Sequence, residues 1–202
     1  MKRYFVSSIF GLMVVMFANS AQSQTSNFSG LSVGINGNFS TAATELSYST
    51  LSLNAGDTSQ NLALQASSGI GMDSNSILSI GGTYALNDLK AGTATASSTT
   101  ATLKAKNIYT VYLEPGKLIN SDTLLYAKLA YAGTKGEASL NSSTFSSDFN
   151  GIGYGAGSRI KMDKNLSLQI EFMQLNFNSI STSGATFKPN LTLGTIGFIY
   201  KF

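Results

Sequence analysis

The side chains of this 202-residue chain best suited to chemistry are four charges in its second half. They are two acids and two bases in the order acid, base, base, acid: Glu114, Lys128, Arg159 and Glu171. Buried charges need partners of opposite sign. The order therefore predicts the pairs Glu114–Lys128 and Arg159–Glu171, or one network that joins all four. The alternative is that these charges only solvate a wet interior.

Composition excludes most catalytic chemistry. The chain has no His and no Cys, which removes imidazole bases, thiol nucleophiles, disulfides and most zinc sites. Only 11% of its residues are charged, against about 25% in a soluble domain. Its net charge of +3 gives no sign of nucleic-acid binding. We therefore predict a protein that is not an enzyme, with no catalytic residue, no cofactor and no metal site.

The first segment has the layout of a secretory signal peptide. Lys2 and Arg3 precede a mostly apolar stretch at 5–18, and small residues follow at 18–23. The apolar stretch is shorter than the roughly 20 residues of a spanning helix. An uncleaved N-terminal anchor is the alternative. We expect residues 1–23 to be removed, with cleavage between Ser20 and Gln24, and residues 24–202 to form one domain.

Most of the remaining chain alternates between apolar and polar residues, which indicates strands with two different faces. In the first such stretch Leu31, Val33 and Ile35 share one face, and Ser32, Gly34 and Asn36 share the other. The alternation predicts eight strands, at 28–40, 61–72, 76–86, 103–118, 123–134, 148–162, 165–178 and 190–202.

The breaks between these stretches alternate in length. Short polar breaks at 73–75, 120–122 and 163–164 read as tight turns. Long breaks rich in Ser, Thr, Asn and Ala lie at 41–60, 87–102, 135–147 and 179–189. A meander that is short at one end and long at the other is typical of membrane barrels. The predicted fold is all-β, an eight-stranded antiparallel up-and-down transmembrane β-barrel.

The few charges on the polar face indicate that this face lines a narrow lumen. A soluble barrel has the opposite sidedness and a charged exterior. Four glycines alternate along 151–157, and we expect Tyr112 and Tyr126 to fill the space that they leave. After Phe172 the apolar residues move to the other parity. A β-bulge near Met173 would return them to the outer face; the alternative is that the strand has already left the membrane.

The chain ends in an aromatic strand. Phe198, Tyr200 and Phe202 lie on one face of the last stretch, which reads GFIYKF. Such a strand is suited to close the barrel against the first strand and to place aromatic rings at the membrane interface.

Four stretches, at 30–37, 113–131, 151–177 and 197–202, resemble the outer-membrane β-barrel family that includes the opacity-type surface antigens and other small Gram-negative barrels. The resemblance implies eight strands in the outer membrane of a Gram-negative cell. It also implies insertion by the barrel-assembly machinery, which would read the Phe198, Tyr200 and Phe202 strand. Lys117 stands where the family commonly has an aromatic residue after Pro-Gly.

These features predict a structural or surface-exposed barrel whose lumen is closed by salt bridges. A small porin-like channel is the alternative. In either case we expect the protein to be surrounded by outer-membrane lipid, to be a monomer and to bind no nucleic acid. An extracellular partner would meet the four polar loops at 41–60, 87–102, 135–147 and 179–189, of which the first could extend its strands beyond the membrane.

Overall fold

The computed structural model describes residues 24–48, 51–96, 99–140, 143–182 and 185–202. The predicted signal peptide at 1–23 lies outside them. A short 3-10 turn, Gln24–Asn27, precedes ten strands. They are β1 (Gly30–Tyr48), β2 (Leu51–Gly71), β3 (Ser76–Ala85), β4 (Leu89–Ala96), β5 (Thr99–Asn120), β6 (Thr123–Leu140), β7 (Ser143–Lys161), β8 (Leu166–Phe177), β9 (Ile180–Thr182) and β10 (Ala185–Lys201).

The strands form a closed antiparallel barrel. β10 pairs with β1 from Ser32↔Lys201 to Tyr48↔Ala185, so the sheet has no free edge along this join. β4 pairs with β5 and β9 with β10, so each continues the line of the strand before it, β3 or β8. Counting these continuations with their parent strands gives eight, which confirms the predicted fold. We call the end with the short turns, the 24–27 turn and the C-terminus the lower end.

Apolar side chains cover the outer surface and polar side chains fill the lumen. Along β1, Leu31, Val33 and Ile35 are 42–49% exposed, whereas Ser32 and Asn36 are buried. The same alternation runs along β8. An outer surface of this kind is stable only against lipid, because a large apolar exterior is unfavourable in water. Among the residues that the structure describes, no helix combines the length and the apolar character needed to cross a membrane.

Polar side chains hold the short lower turns, and the turn after β2 shows this most clearly. Asp73 Oδ1 accepts hydrogen bonds from the backbone N–H groups of Asn75 (2.7 Å) and Ser76 (2.8 Å). These bonds favour the ionised carboxylate and lower the pKa of Asp73 below its usual value. The turn after β7 closes like the turn after β2: Met72 N–H donates to Ser76 O, and Met162 N–H donates to Leu166 O, both at 2.8 Å.

The upper ends differ from the predicted polar loops, because the strands continue through most of the long breaks. β1 runs to Tyr48 and β2 begins at Leu51, with the ladder complete from Gly30↔Gly69 to Tyr48↔Leu51. β5 and β6 likewise pair up to Ala101↔Leu140. Thr, Ser and Ala on both partners let the backbone ladder continue where no apolar face marks a strand in the sequence.

The predicted bulge near Met173 is wrong. β7 and β8 pair without a register shift from Gly151↔Phe177 to Lys161↔Ser167. Met173, Leu175 and Phe177 therefore face the lumen and are buried. The parity of apolar residues changes because the upper lumen is lined with hydrocarbon. A register break does occur on β5, between Lys106 and Tyr109, where Asn107 has a φ of 51°.

Candidate functional site

Four neighbouring strands each turn one charge into the lumen. These charges are Glu114 on β5, Lys128 on β6, Arg159 on β7 and Glu171 on β8, and each is at most 6% exposed. Lys128 Nζ lies 3.4 Å from Glu114 Oε2, and Arg159 Nη2 lies 2.8 Å from Glu114 Oε1. Lys128 also donates a hydrogen bond to Glu171 Oε2. We call these four residues the charged layer.

The pairing within the charged layer differs in part from the sequence prediction. Glu114 and Lys128 form an ion pair, as the strand order suggested. Arg159, however, pairs with Glu114 rather than with Glu171. Glu171 instead accepts hydrogen bonds from Lys128 and from the Tyr126 hydroxyl, the latter at 2.9 Å. Glu114 and Lys128 thus connect all four charges into one network of zero net charge.

Aromatic rings and amides complete the surroundings of the two cations. Lys128 Nζ lies 4.1 Å from the ring centroid of Tyr112 and 5.5 Å from that of Tyr126, and Arg159 lies 5.2 Å from the latter. Arg159 Nε donates to Gln169 Oε1 at 2.9 Å. Cation–π contacts of this kind are strongest where water is excluded. Sequence reasoning missed the role of Gln169, although its parity on β8 already marked it as inward-facing.

The tyrosines occupy space that glycines leave, but not all of it on β7. A Cβ atom at Gly157 would lie 2.5 Å from the Tyr126 hydroxyl oxygen, so Tyr126 fills this gap as expected. Tyr112 instead fills the gap at Gly81 on β3, where a Cβ atom would also lie 2.5 Å from its hydroxyl oxygen. The other inward glycines of β7 make room for residues of β8, among them Leu175 at Gly153.

Above the charged layer, a group of apolar side chains fills much of the lumen. We call the following buried side chains, together with their alanine neighbours, the upper apolar layer: Leu89, Ile108, Met173, Leu175, Leu191 and Leu193. They come from β4, β5, β8 and β10 and all face inward. A water-filled channel has a polar lining. This part of the lumen is therefore packed like a protein core.

The lower mouth of the barrel is filled by the segment before β1. Phe28 packs with Ile77, Leu118, Leu124 and Tyr126, which we call the lower apolar cluster. The preceding turn is tied to the rim: Asn27 Nδ2 donates to Ser121 O at 2.8 Å, and Lys161 Nζ donates to Asn27 Oδ1 at 3.0 Å. Charged and apolar groups thus fill the lumen at three successive levels.

The C-terminal aromatic residues lie on the outer surface at the lower end. Phe198, Tyr200 and Phe202 alternate outward and are about half exposed or more. The rings of Tyr200 and Phe202 meet edge to face with centroids 5.4 Å apart. Phe202 N–H donates to Leu31 O at 3.0 Å, which carries the β1–β10 join to the last residue. The strand stands where an interfacial aromatic girdle is expected.

Partly exposed charges at the upper end also form ion pairs. Lys106 Nζ lies 2.8 Å from Glu137 Oε1 and 4.0 Å from Asp88 Oδ2. The hydrogen bond to Lys106 lowers the pKa of Glu137 below its usual value and raises that of Lys106. Across the described ranges, no group of three or more Asp and Glu side chains is placed to hold a metal ion.

Comparisons with known proteins agree with this architecture. The family model described as "Outer membrane protein beta-barrel domain" matches residues 10–202. Neisserial surface protein A is similar in fold, with a TM-score of 0.52, 15% identity, and coverage of 86% of this chain and 98% of that one.

Two further solved structures align over most of the chain at lower scores. The attachment invasion locus protein Ail of Yersinia pestis has a TM-score of 0.47 and 15% identity, covering 85% of this chain and 99% of its own. OprG of Pseudomonas aeruginosa has a TM-score of 0.48 and 13% identity, covering 90% and 99%. No curated protein sequence matched the chain.

Proposed function

This chain belongs to the outer membrane protein beta-barrel domain family, and on that premise we propose that it is a non-enzymatic barrel with a closed lumen. It resides in the outer membrane of a Gram-negative cell. Its role is structural: it stabilises the envelope and presents four hairpins at the cell surface. The upper end, with the long hairpins, faces outward, and the lower end faces the periplasm.

The charged layer carries this proposal. Eight strands enclose an interior that side chains can just fill, and here the four charges are buried and paired across it. A permeating ion would have to separate these pairs, and an unpaired buried charge costs about 3–5 kcal/mol. The upper apolar layer and the lower apolar cluster add two further apolar barriers. These features favour a closed barrel over the porin-like alternative.

Conductance in a planar bilayer tests the closed lumen. The purified full chain, reconstituted at increasing protein-to-lipid ratios, is expected to give no steady unitary current in 1 M salt. A water-filled porin in the same bilayer is the positive control. A reproducible unitary conductance that scales with the number of inserted barrels would contradict the closed lumen and favour the channel.

We also propose that export and insertion depend on the two ends of the chain. Residues 1–23 would be removed as a signal peptide, and the barrel-assembly machinery would read the strand that carries Phe198, Tyr200 and Phe202. Phe202→Ser is expected to lower the heat-modifiable barrel band in outer-membrane fractions several-fold. The matched control is Phe172→Ser, because Phe172 is exposed to a similar degree, 61% against 67%, but lies on β8 away from the terminus. Equal losses in both variants would argue against a terminal signal.

The four upper hairpins are the proposed surface for an extracellular partner. They correspond to the breaks at 41–60, 87–102, 135–147 and 179–189, and extended strands rather than open coil carry them outward. Replacing each hairpin tip by a short Gly-Asn turn, one at a time, tests this role. Loss of host-surface or matrix binding by cells with one shortened hairpin would assign the contact, whereas unchanged binding in all four variants would remove it.

A further inference from the structure

A small cavity lies inside the barrel at the base of the upper apolar layer. Its volume is about 30 Å³, enough for about two water molecules. Its lining combines aliphatic side chains, among them Leu89, Met173 and Leu193, with polar ones, among them Asn61 and the carboxylate of Glu171. The cavity therefore offers apolar and hydrogen-bonding groups within one space.

Asn61 presents an unused acceptor at this cavity. The residue is 94% buried, since only 6% of its surface is exposed, and its Oδ1 atom has no hydrogen-bond partner among the described residues. Among the other polar side chains of the lining, Thr83 and Thr110 share a hydrogen bond of 2.7 Å, and Thr195 donates to Asn38 at 2.8 Å. Asn36 Oδ1, which also lines the cavity, is likewise without a partner among the described residues. A buried acceptor without a donor is costly, so the Asn61 oxygen favours an occupant that donates a hydrogen bond.

The barrel wall beside the cavity has an interrupted backbone ladder. β2 pairs with β3 as far as Ala63↔Ala85, one further backbone bond runs from Leu86 N–H to Leu62 O at 2.8 Å, and no backbone pairing of the described residues joins β2 to β4. Side chains bridge the rest of this seam: Asn87 Oδ1 accepts from Leu62 N–H at 2.9 Å, and Lys90 pairs with Asp57 at 3.2 Å. Parting a seam held by a few side-chain bonds costs less than parting a full ladder.

We propose that the upper lumen is a binding pocket for small neutral molecules with an aliphatic body and one hydroxyl or amine donor. The donor bonds to Asn61 Oδ1, and the aliphatic body packs against Leu89, Met173 and Leu193. A guest larger than two waters displaces Met173, whose unbranched side chain adapts readily. The β2–β4 seam is the route into the pocket. The pocket is blind, because the charged layer closes it below, so it does not require the lumen to conduct.

Methyl NMR of the full barrel in lipid nanodiscs tests the pocket with two probes of equal size, 1-butanol and n-pentane. Butanol is expected to shift the Met173 and Leu193 methyl signals saturably and to give NOEs to them. The Leu118 and Leu124 methyls of the lower apolar cluster serve as the internal control and should not respond. Pentane, which has no donor, is expected to bind about fivefold more weakly.

Two variants test the Asn61 acceptor and the entry route at the β2–β4 seam independently. Asn61→Leu should remove the advantage of butanol over pentane while both still bind. Asn87→Ala should speed amide exchange at Leu62 and the exchange of bound butanol several-fold. Asn178→Ala is the control, because Asn178 also bonds across two neighbouring strands, donating from Nδ2 to Asn150 Oδ1 (2.5 Å), but beside the continuous β7–β8 ladder.

Any of three results would contradict the proposed pocket: NOEs to water alone, equal responses in the upper apolar layer and the lower apolar cluster, or equal affinities of the two probes for the wild-type protein. A conducting lumen would contradict the closed barrel proposed above but would leave these NOEs unchanged, so the two proposals fail separately.

Discussion

β8 contributes to two regions of the lumen that exclude water in different ways. Glu171 belongs to the charged layer and Gln169 contacts it. Further along the same face of the strand, Met173 and Leu175 belong to the upper apolar layer. Both regions are buried to a similar degree. The first is held by ion pairs that are stable only while every partner is present, and the second by packing that needs no specific partner. The same face of one strand thus contributes to a layer that requires specific ion-pair partners and to a layer that does not.

Among the substitutions considered, removing one charge from the charged layer is expected to cause the largest loss in the free energy of unfolding. Glu114→Gln leaves Arg159 without its ion pair and Lys128 with only one, because Glu114 binds both cations. An uncompensated buried charge costs about 3–5 kcal/mol. We expect a loss of that size in the free energy of unfolding, measured by urea titration in lipid vesicles with the heat-modifiable gel band as readout.

Glu137→Gln is the control for that experiment. Glu137 also pairs with a lysine at 2.8 Å, but solvent reaches both side chains of that pair, which are 20% and 30% exposed. Exposed pairs contribute little, so its unfolding curve should nearly overlay that of the wild type. A loss at Glu114 no greater than the loss at Glu137 would mean that the charged layer is hydrated.

Truncation in the apolar layer should cost somewhat less. Leu175 is 0% exposed, and Leu175→Ala leaves a cavity that the β7 and β8 backbones cannot close. Such changes cost about 2–5 kcal/mol, and we expect about 3 kcal/mol in the same titration. Leu129→Ala removes an equal volume from the lipid-facing surface, where Leu129 is 57% exposed. Lipid refills that space, so a cost as large as that of Leu175→Ala would show that the upper lumen is not packed.

The two layers also differ in how far the sequence predicts them. Glu114, Lys128, Arg159 and Glu171 stand out because a charge on the polar face of an alternating strand must point into the lumen. Leu175 and Phe177 do not, because an apolar residue suits lipid and core equally, and alternation alone cannot tell a bulge from an apolar lining. The ion-pair partner of Arg159 could not be predicted from the sequence for another reason. Strand order determines which strands are neighbours, but the relative heights of their residues depend on the register between strands.

Both layers depend on glycines for space, and a methyl group added to one of them should cost an intermediate amount. Gly157→Ala places its Cβ atom against the Tyr126 hydroxyl, which is held by Glu171, and 2.6 Å from the backbone carbonyl oxygen of Ile170. Overpacking costs about 1–3 kcal/mol, and we expect about 2 kcal/mol. Gly37→Ala is the control, because its Cβ atom would meet only Ile196 O, at 3.7 Å. Equal stability of the two variants would show that Tyr126 can leave its position freely.

The smallest expected effect concerns pH and distinguishes an exposed pair from the buried network. The pKa of Glu137 is lowered by its hydrogen bond to Lys106. The ionised form therefore stabilises the folded state above the usual pKa of 4.5, and this contribution disappears as pH falls through the lower value in the folded protein. Thermal melts of wild type and Glu137→Gln should differ slightly at pH 7 and converge once the pH has fallen below the lowered pKa of Glu137 in the folded protein. A difference that persists in acid would place the effect of the substitution in packing at the upper rim rather than in charge.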